Sequence, residues 1–147
     1  MHIAALITWL ITALGGFYLL GTWIARGALR DPGASRLPAP VLFGHFLLAA
    51  AGLVVWIVYL AADKRALAWT AFVLLLPVAV LGLAMFARWL PTVHSGRAVS
   101  AVGAPGSAAP AAEVPERHFP IPVVLAHGLF AVATVVLVLI SAIQAHG

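Results

Sequence analysis

His45 and His127 are the strongly titratable side chains placed inside long apolar runs of this 147-residue sequence, where no Asp, Glu, Lys or Arg lies in the interior of a run. A neutral imidazole there can ligate a metal, pass a proton or hydrogen-bond between helices. The two histidines share a local setting. Pro38-Ala39-Pro40-Val41 followed by His45 matches Pro120-Ile121-Pro122-Val123 followed by His127, and the same register pairs Leu47 with Leu129, Ala49 with Ala131, Ala51 with Ala133 and Val54 with Val136. Each imidazole stands five residues past its second proline, roughly 7 to 8 Å along a helix, so the two sit at similar depth. The prolines themselves suit helix starts, where a missing N–H costs nothing.

The chemistry narrows with ligand count. The chain has no Cys, which removes thiolate metal sites, iron–sulfur clusters, disulfides and cysteine nucleophiles. Structural zinc wants four protein ligands and catalytic zinc three, whereas the apolar runs supply two; His94 and His118 lie near Pro91 and Pro120, at or beyond a membrane interface. Haem brings four equatorial nitrogens and asks for axial ligands only. Small residues accompany each imidazole: Gly44 and Gly128 are direct neighbours, Ala49 and Gly52 follow His45 at four and seven positions, and Ala131 and Thr134 follow His127 likewise. That spacing keeps them on one helical stripe, a slot of the kind a flat macrocycle needs. Arg36, Arg88 and Arg117 are the candidates for its propionates, although charge bias between loops accounts for them equally well.

The elements that must hold these residues follow from composition. Apolar residues make up 64% and charged residues 8%, with a mean hydropathy of +1.11; soluble proteins carry roughly a quarter charged residues, so lipid is the expected solvent. Uninterrupted apolar stretches run from Ile3 to Ala25, Val41 to Ala62, Ala66 to Leu90 and Ile121 to Ile143, each long enough to cross a hydrocarbon core of roughly 30 Å. The first lacks a preceding basic residue and a cleavage pattern, so it reads as a retained helix. The expectation is an all-α integral membrane protein, one domain over 1–147, in an up-down-up-down four-helix bundle with a flexible Ala/Gly/Pro/Ser linker over about 91–120. Gly15, Gly16, Gly52 and Gly82 would permit close helix approach, and Pro77 should kink the third span.

Arg26, Arg30, Arg36, Arg88, Arg97 and Arg117 lie around the first and third loops, against Lys64 and Arg65 in the second. The positive-inside rule then makes the first and third loops cytoplasmic and puts both termini outside, in a multi-pass protein of the cell membrane. The second and fourth spans run the same way, and duplication of a helical hairpin is the expected origin of the repeat. The net charge of +4 contains no dense basic run, so nucleic acid is not an expected partner. The carboxylates Asp31, Asp63, Glu113 and Glu116 all lie in loops, and with no nucleophile-base pair or phosphate loop the sequence does not read as a hydrolase or kinase.

In a four-helix bundle the second and fourth helices are diagonal, so the two imidazoles can face each other across the centre. In this the chain resembles the small bis-histidine transmembrane b-type cytochromes, at the level of architecture and the two His positions. The resemblance implies haem b held by His45 and His127, electron transfer as the activity, and a quinone or membrane redox subunit as partner, with oxidoreductase the class if the chain is an enzyme. It departs from multi-haem versions in having no second buried pair: His2 and His146 stand near the ends. Two other classes stay open. One is a cofactor-free structural or interaction subunit of a membrane complex; the other is a small proton-coupled transporter using the same imidazoles. Association with a second copy also stays open.

Overall fold

The computed structural model describes residues 1–31, 33–101 and 114–145, with 94–101 described by their helical backbone alone. Glu113, His146 and the side chains of His94 and Arg97 therefore lie outside the described residues. Four long helices form: α1 (His2–Ala25), α2 (Ala39–Ala62), α3 (Arg65–Ala101) and α4 (Ile121–Gln144), with one 3₁₀ turn, Pro115–His118, just before α4. All four are long and apolar enough to cross a membrane.

Local chemistry sets the ends. After α1 the chain turns at Gly27, whose φ of +83° falls in the region that favours glycine. Pro38 and Pro120 stand immediately before α2 and α4, with Pro40 and Pro122 inside the first turn, as expected for a residue with a fixed helical φ and no N–H. Asp63 closes α2 in the left-handed region at φ 50°, a conformation a short polar side chain tolerates.

The third helix differs from the sequence expectation. It does not stop near Leu90 but runs on through Pro91 to Ala101, as it also runs through Pro77. A proline removes one ladder hydrogen bond, which neighbouring helices and small adjustments can offset in an apolar helix. The segment expected to be a linker from residue 91 thus begins as helix.

The helices pack as two close pairs, α2 with α3 and α1 with α4; contact between α3 and α4 is lighter, and between α1 and α2 lightest. The diagonal pairs α1/α3 and α2/α4 do not pack directly. Buried side chains collect at two levels. Ala5, Trp9, Trp56, Tyr59, Ala71, Leu75, Val138 and Ala142 belong to one; Trp23, Ala28, Leu37, Leu42, Trp89 and Phe119 belong to the other. His45 and His127 lie between them along the chain. Large apolar side chains such as Leu14, Phe17, Leu47, Leu83, Leu129 and Val132 are exposed on all four helices, far more apolar surface than water tolerates on a monomer.

Candidate functional site: a pair of anchored imidazoles

His45 on α2 and His127 on α4 come together across the bundle with ring centres 6.3 Å apart and planes inclined at 57°. Each ring is anchored the same way. Nδ1 of His45 lies 2.9 Å from the carbonyl oxygen of Val78 on α3, and Nδ1 of His127 lies 2.9 Å from that of Thr12 on α1. A carbonyl only accepts, so Nδ1 carries the proton in both rings and Nε2 keeps its lone pair. No described hydrogen bond uses either Nε2.

Glycine opens the approach to each carbonyl. A helical carbonyl already accepts from the N–H four residues on, which is Gly16 for Thr12 and Gly82 for Val78. A Cβ on Gly16 would stand 3.2 Å from Cε1 of His127, and one on Gly82 would stand 3.2 Å from Cε1 of His45. Both are closer than side-chain contacts normally come. Gly15 adds a second tight approach, 3.4 Å from Cβ of His127.

These contacts complete the repeat. Between α2 and α4 the register is 82; between α1 and α3 the structure matches Ala5 with Ala71, Thr12 with Val78, Gly16 with Gly82 and Trp23 with Trp89, a register of 66. All four of Ala5, Ala71, Trp23 and Trp89 are buried. The likeness between the two halves thus extends to both helices of each hairpin. Each half's histidine bonds to a helix of the other half.

The other expected site residues are distributed as follows. Ala49 and Ala131 are half-buried. Gly44 has α3 as neighbour, with Leu81 4.0 Å from its Cβ position. Gly52 makes room for Trp9: its Cβ would stand 3.1 Å from the indole. Gly128 is exposed and faces open space. Thr134, 2% exposed, donates to Phe130 O at 2.7 Å and lies 3.0 Å from Thr8 Oγ1 across the α1/α4 seam. Its role is interhelical.

The three arginines do not share one place. Arg36 and Arg88 line one cleft, while Arg117 lines a separate cavity of about 240 Å³ with Trp89, Thr92, Val93, Glu116, Phe119 and Ile121. Trp89 and Val93 lie seven and eleven residues beyond Gly82, hence on the same face of α3, so this second cavity is lined in part by the face of α3 that carries Gly82.

Glu116, a loop carboxylate by its place in the sequence, is fully buried. Its Oε1 accepts from Trp23 Nε1 at 3.3 Å, Leu37 N at 3.0 Å and Ser35 Oγ, and its carbonyl accepts from Trp89 Nε1 at 3.2 Å. One residue thus ties the end of α1, α3 at Trp89, the first loop and the entry to α4 together. The signal was present in the repeated tryptophans, whose indole N–H groups need acceptors when buried.

Among the described residues no group of three or more His, Cys, Asp or Glu could hold a bare metal ion. An ion with two axial imidazoles, each nitrogen about 2 Å from it, puts the ring centres roughly 6 Å apart, and the observed 6.3 Å fits that. A second requirement is a fixed tautomer, and metal-bound histidines usually have the other ring nitrogen bonded to a carboxylate or carbonyl; both rings meet it. Comparison with protein-family models, curated proteins and solved structures finds no match.

Proposed function

We propose that the chain is an integral membrane haem-binding protein of electron transfer, with its four helices crossing the bilayer up-down-up-down and His45 and His127 as the residues that would hold one b-type haem. The observation that carries this reading is the pair of imidazoles 6.3 Å apart, each with Nδ1 tied to a carbonyl and Nε2 left without a described partner. Such a haem would supply reversible one-electron chemistry, its potential tuned by axial ligand and burial. The protein's part is to hold each imidazole in the Nδ1–H form, to fix its plane against Gly16 or Gly82, and to keep water out with the aromatic groups packed on either side. Of the three arginines, Arg117 is the one that would meet a propionate, because it shares a cavity with Trp89 and Val93, which lie on the Gly82 face of α3. A quinone or a membrane redox subunit would exchange the electron.

Purification from haem-replete cells in mild detergent, followed by oxidised and dithionite-reduced spectra and a pyridine haemochrome assay, tests this. Near-stoichiometric haem with a sharp reduced α band is expected, and His45→Ala and His127→Ala should each remove the low-spin spectrum while the protein still inserts. Unchanged spectra in both variants, or a folded colourless wild type, would overturn the assignment.

A second reading has its own observation: each Nδ1 bond joins the two helices of a close pair, α2 to α3 and α1 to α4. That is what a cofactor-free structural subunit would require of the same residues. It predicts a colourless protein that co-purifies with partner subunits and loses stability when either histidine is replaced.

A further inference from the structure

Arg36 and Arg88, 52 residues apart in sequence, meet in space: Nη1 of Arg88 donates to the carbonyl oxygen of Arg36 at 3.3 Å. Together with Ser35, Pro38, Ala87 and Pro91 they line an open cleft of about 560 Å³. Neither guanidinium has an ion pair among the described residues. Beneath them the carboxylate of Glu116 is buried and accepts from Ser35, Trp23 and Leu37, so it offers them no exposed counter-charge.

The cleft faces away from the imidazoles. Ala87, Arg88 and Pro91 lie on the far side of α3 from Gly82, and all three are exposed, whereas Trp89 is buried. The pair is therefore badly placed for a propionate of a group bound between His45 and His127. The cleft also stands at a boundary. Arg36 precedes α2 by three residues, and Arg88 is the first charged residue after the uncharged apolar run of α3 that begins at Ala66. Two arginines lining one cleft supply guanidinium donors suited to phosphate oxygens.

We propose that Arg36 and Arg88 bind the phosphate of an anionic membrane lipid, with its headgroup in this cleft and its chains along the outer surface of α2 and α3. The site rests on the membrane-embedded part of the proposed function and is independent of the haem.

The test is native mass spectrometry of the full-length protein released from detergent, titrated with phosphatidylglycerol, with phosphatidylcholine and with inorganic phosphate. Retention of one phosphatidylglycerol is expected to exceed that of phosphatidylcholine about tenfold or more, the scale set by two arginines near an anionic headgroup. Arg36→Gln with Arg88→Gln should remove the preference, while Arg26→Gln with Arg30→Gln, an equal loss of charge on the loop that carries Arg36, should leave it. Arg36→Gln alone supplies a variant that disturbs no described side-chain hydrogen bond, and it should weaken the preference by several-fold. Equal loss in the Arg26/Arg30 variant would make the effect one of net charge and overturn the site. Saturable binding of inorganic phosphate without preference between the lipids would overturn the lipid as occupant. Failure of the membrane reading has a different signature: protein recovered in the aqueous fraction of cell lysates rather than with membranes.

Discussion

The imidazole of His45 reaches a carbonyl inside another helix because residue 82 has no side chain to block it. The same holds for His127 and Gly16. Replacing either glycine by alanine sets two effects against each other. Alanine gains up to about 1 kcal/mol of helix propensity, while its Cβ must push on an imidazole carbon at 3.2 Å. The stability of cofactor-free protein should then change by less than about 1 kcal/mol, but the ring is turned from the position its carbonyl fixes. Gly16→Ala and Gly82→Ala are expected to lower haem content per protein several-fold by pyridine haemochrome, and Gly21→Ala, which meets nothing, to leave it unchanged. Equal haem content in all three would mean that the carbonyl bonds do not hold the ligands. The histidines were legible in the sequence because proline and histidine recur in register on an otherwise repetitive apolar background. Their anchors were not, since a backbone carbonyl has no letter of its own and only the glycine one turn on betrays it.

Between elements, the densest set of hydrogen bonds outside the helices belongs to Glu116. Three donors converge on one carboxylate oxygen, and removing it leaves the Trp23 indole N–H and the Leu37 amide buried with Ser35 as the one remaining acceptor nearby. Unsatisfied buried donors cost about 1 to 3 kcal/mol each, so Glu116→Ala should destabilise the bundle by about 3 kcal/mol in mixed-micelle unfolding. Glu116→Gln, which keeps a carbonyl acceptor, should lose less. A melting profile indifferent to both would remove Glu116 as the tie between the helix ends. Span positions could be read from apolar runs, and α1, α2 and α4 begin and end within about two residues of where those runs do. The end of α3 could not, because proline weighs against helix in water and much less in an apolar bundle. The burial of a glutamate within Pro-Glu-Arg-His was hidden for a similar reason: its partners come from Trp23 and Leu37, about 80 to 90 positions away.

For the molecule as a whole, the charge asymmetry gives a sidedness that can be checked. With six basic residues around the first and third loops and two in the second, a reporter inserted at Asp63-Lys64-Arg65 should be active outside the cell and one in the 102–113 segment inside. The opposite pattern would invert the orientation. The halves of the repeat are also mutually dependent. His45 belongs to the first hairpin and its carbonyl, Val78, to the second; His127 belongs to the second and its carbonyl, Thr12, to the first. A chain made from its N-terminus completes α1 almost a hundred residues before α4, the helix it packs against most closely. At about 5 to 20 residues per second, α1 waits on the order of 5 to 20 s for that partner. During the wait two of its hydroxyls are already served locally, Thr8 by Ala5 O and Thr12 by Thr8 O, whereas the Trp23 indole N–H has to wait for Ser35 and then Glu116. The histidine pair, by contrast, cannot exist until α4 is synthesised, and any group held by both rings can be bound only after His127 has been made.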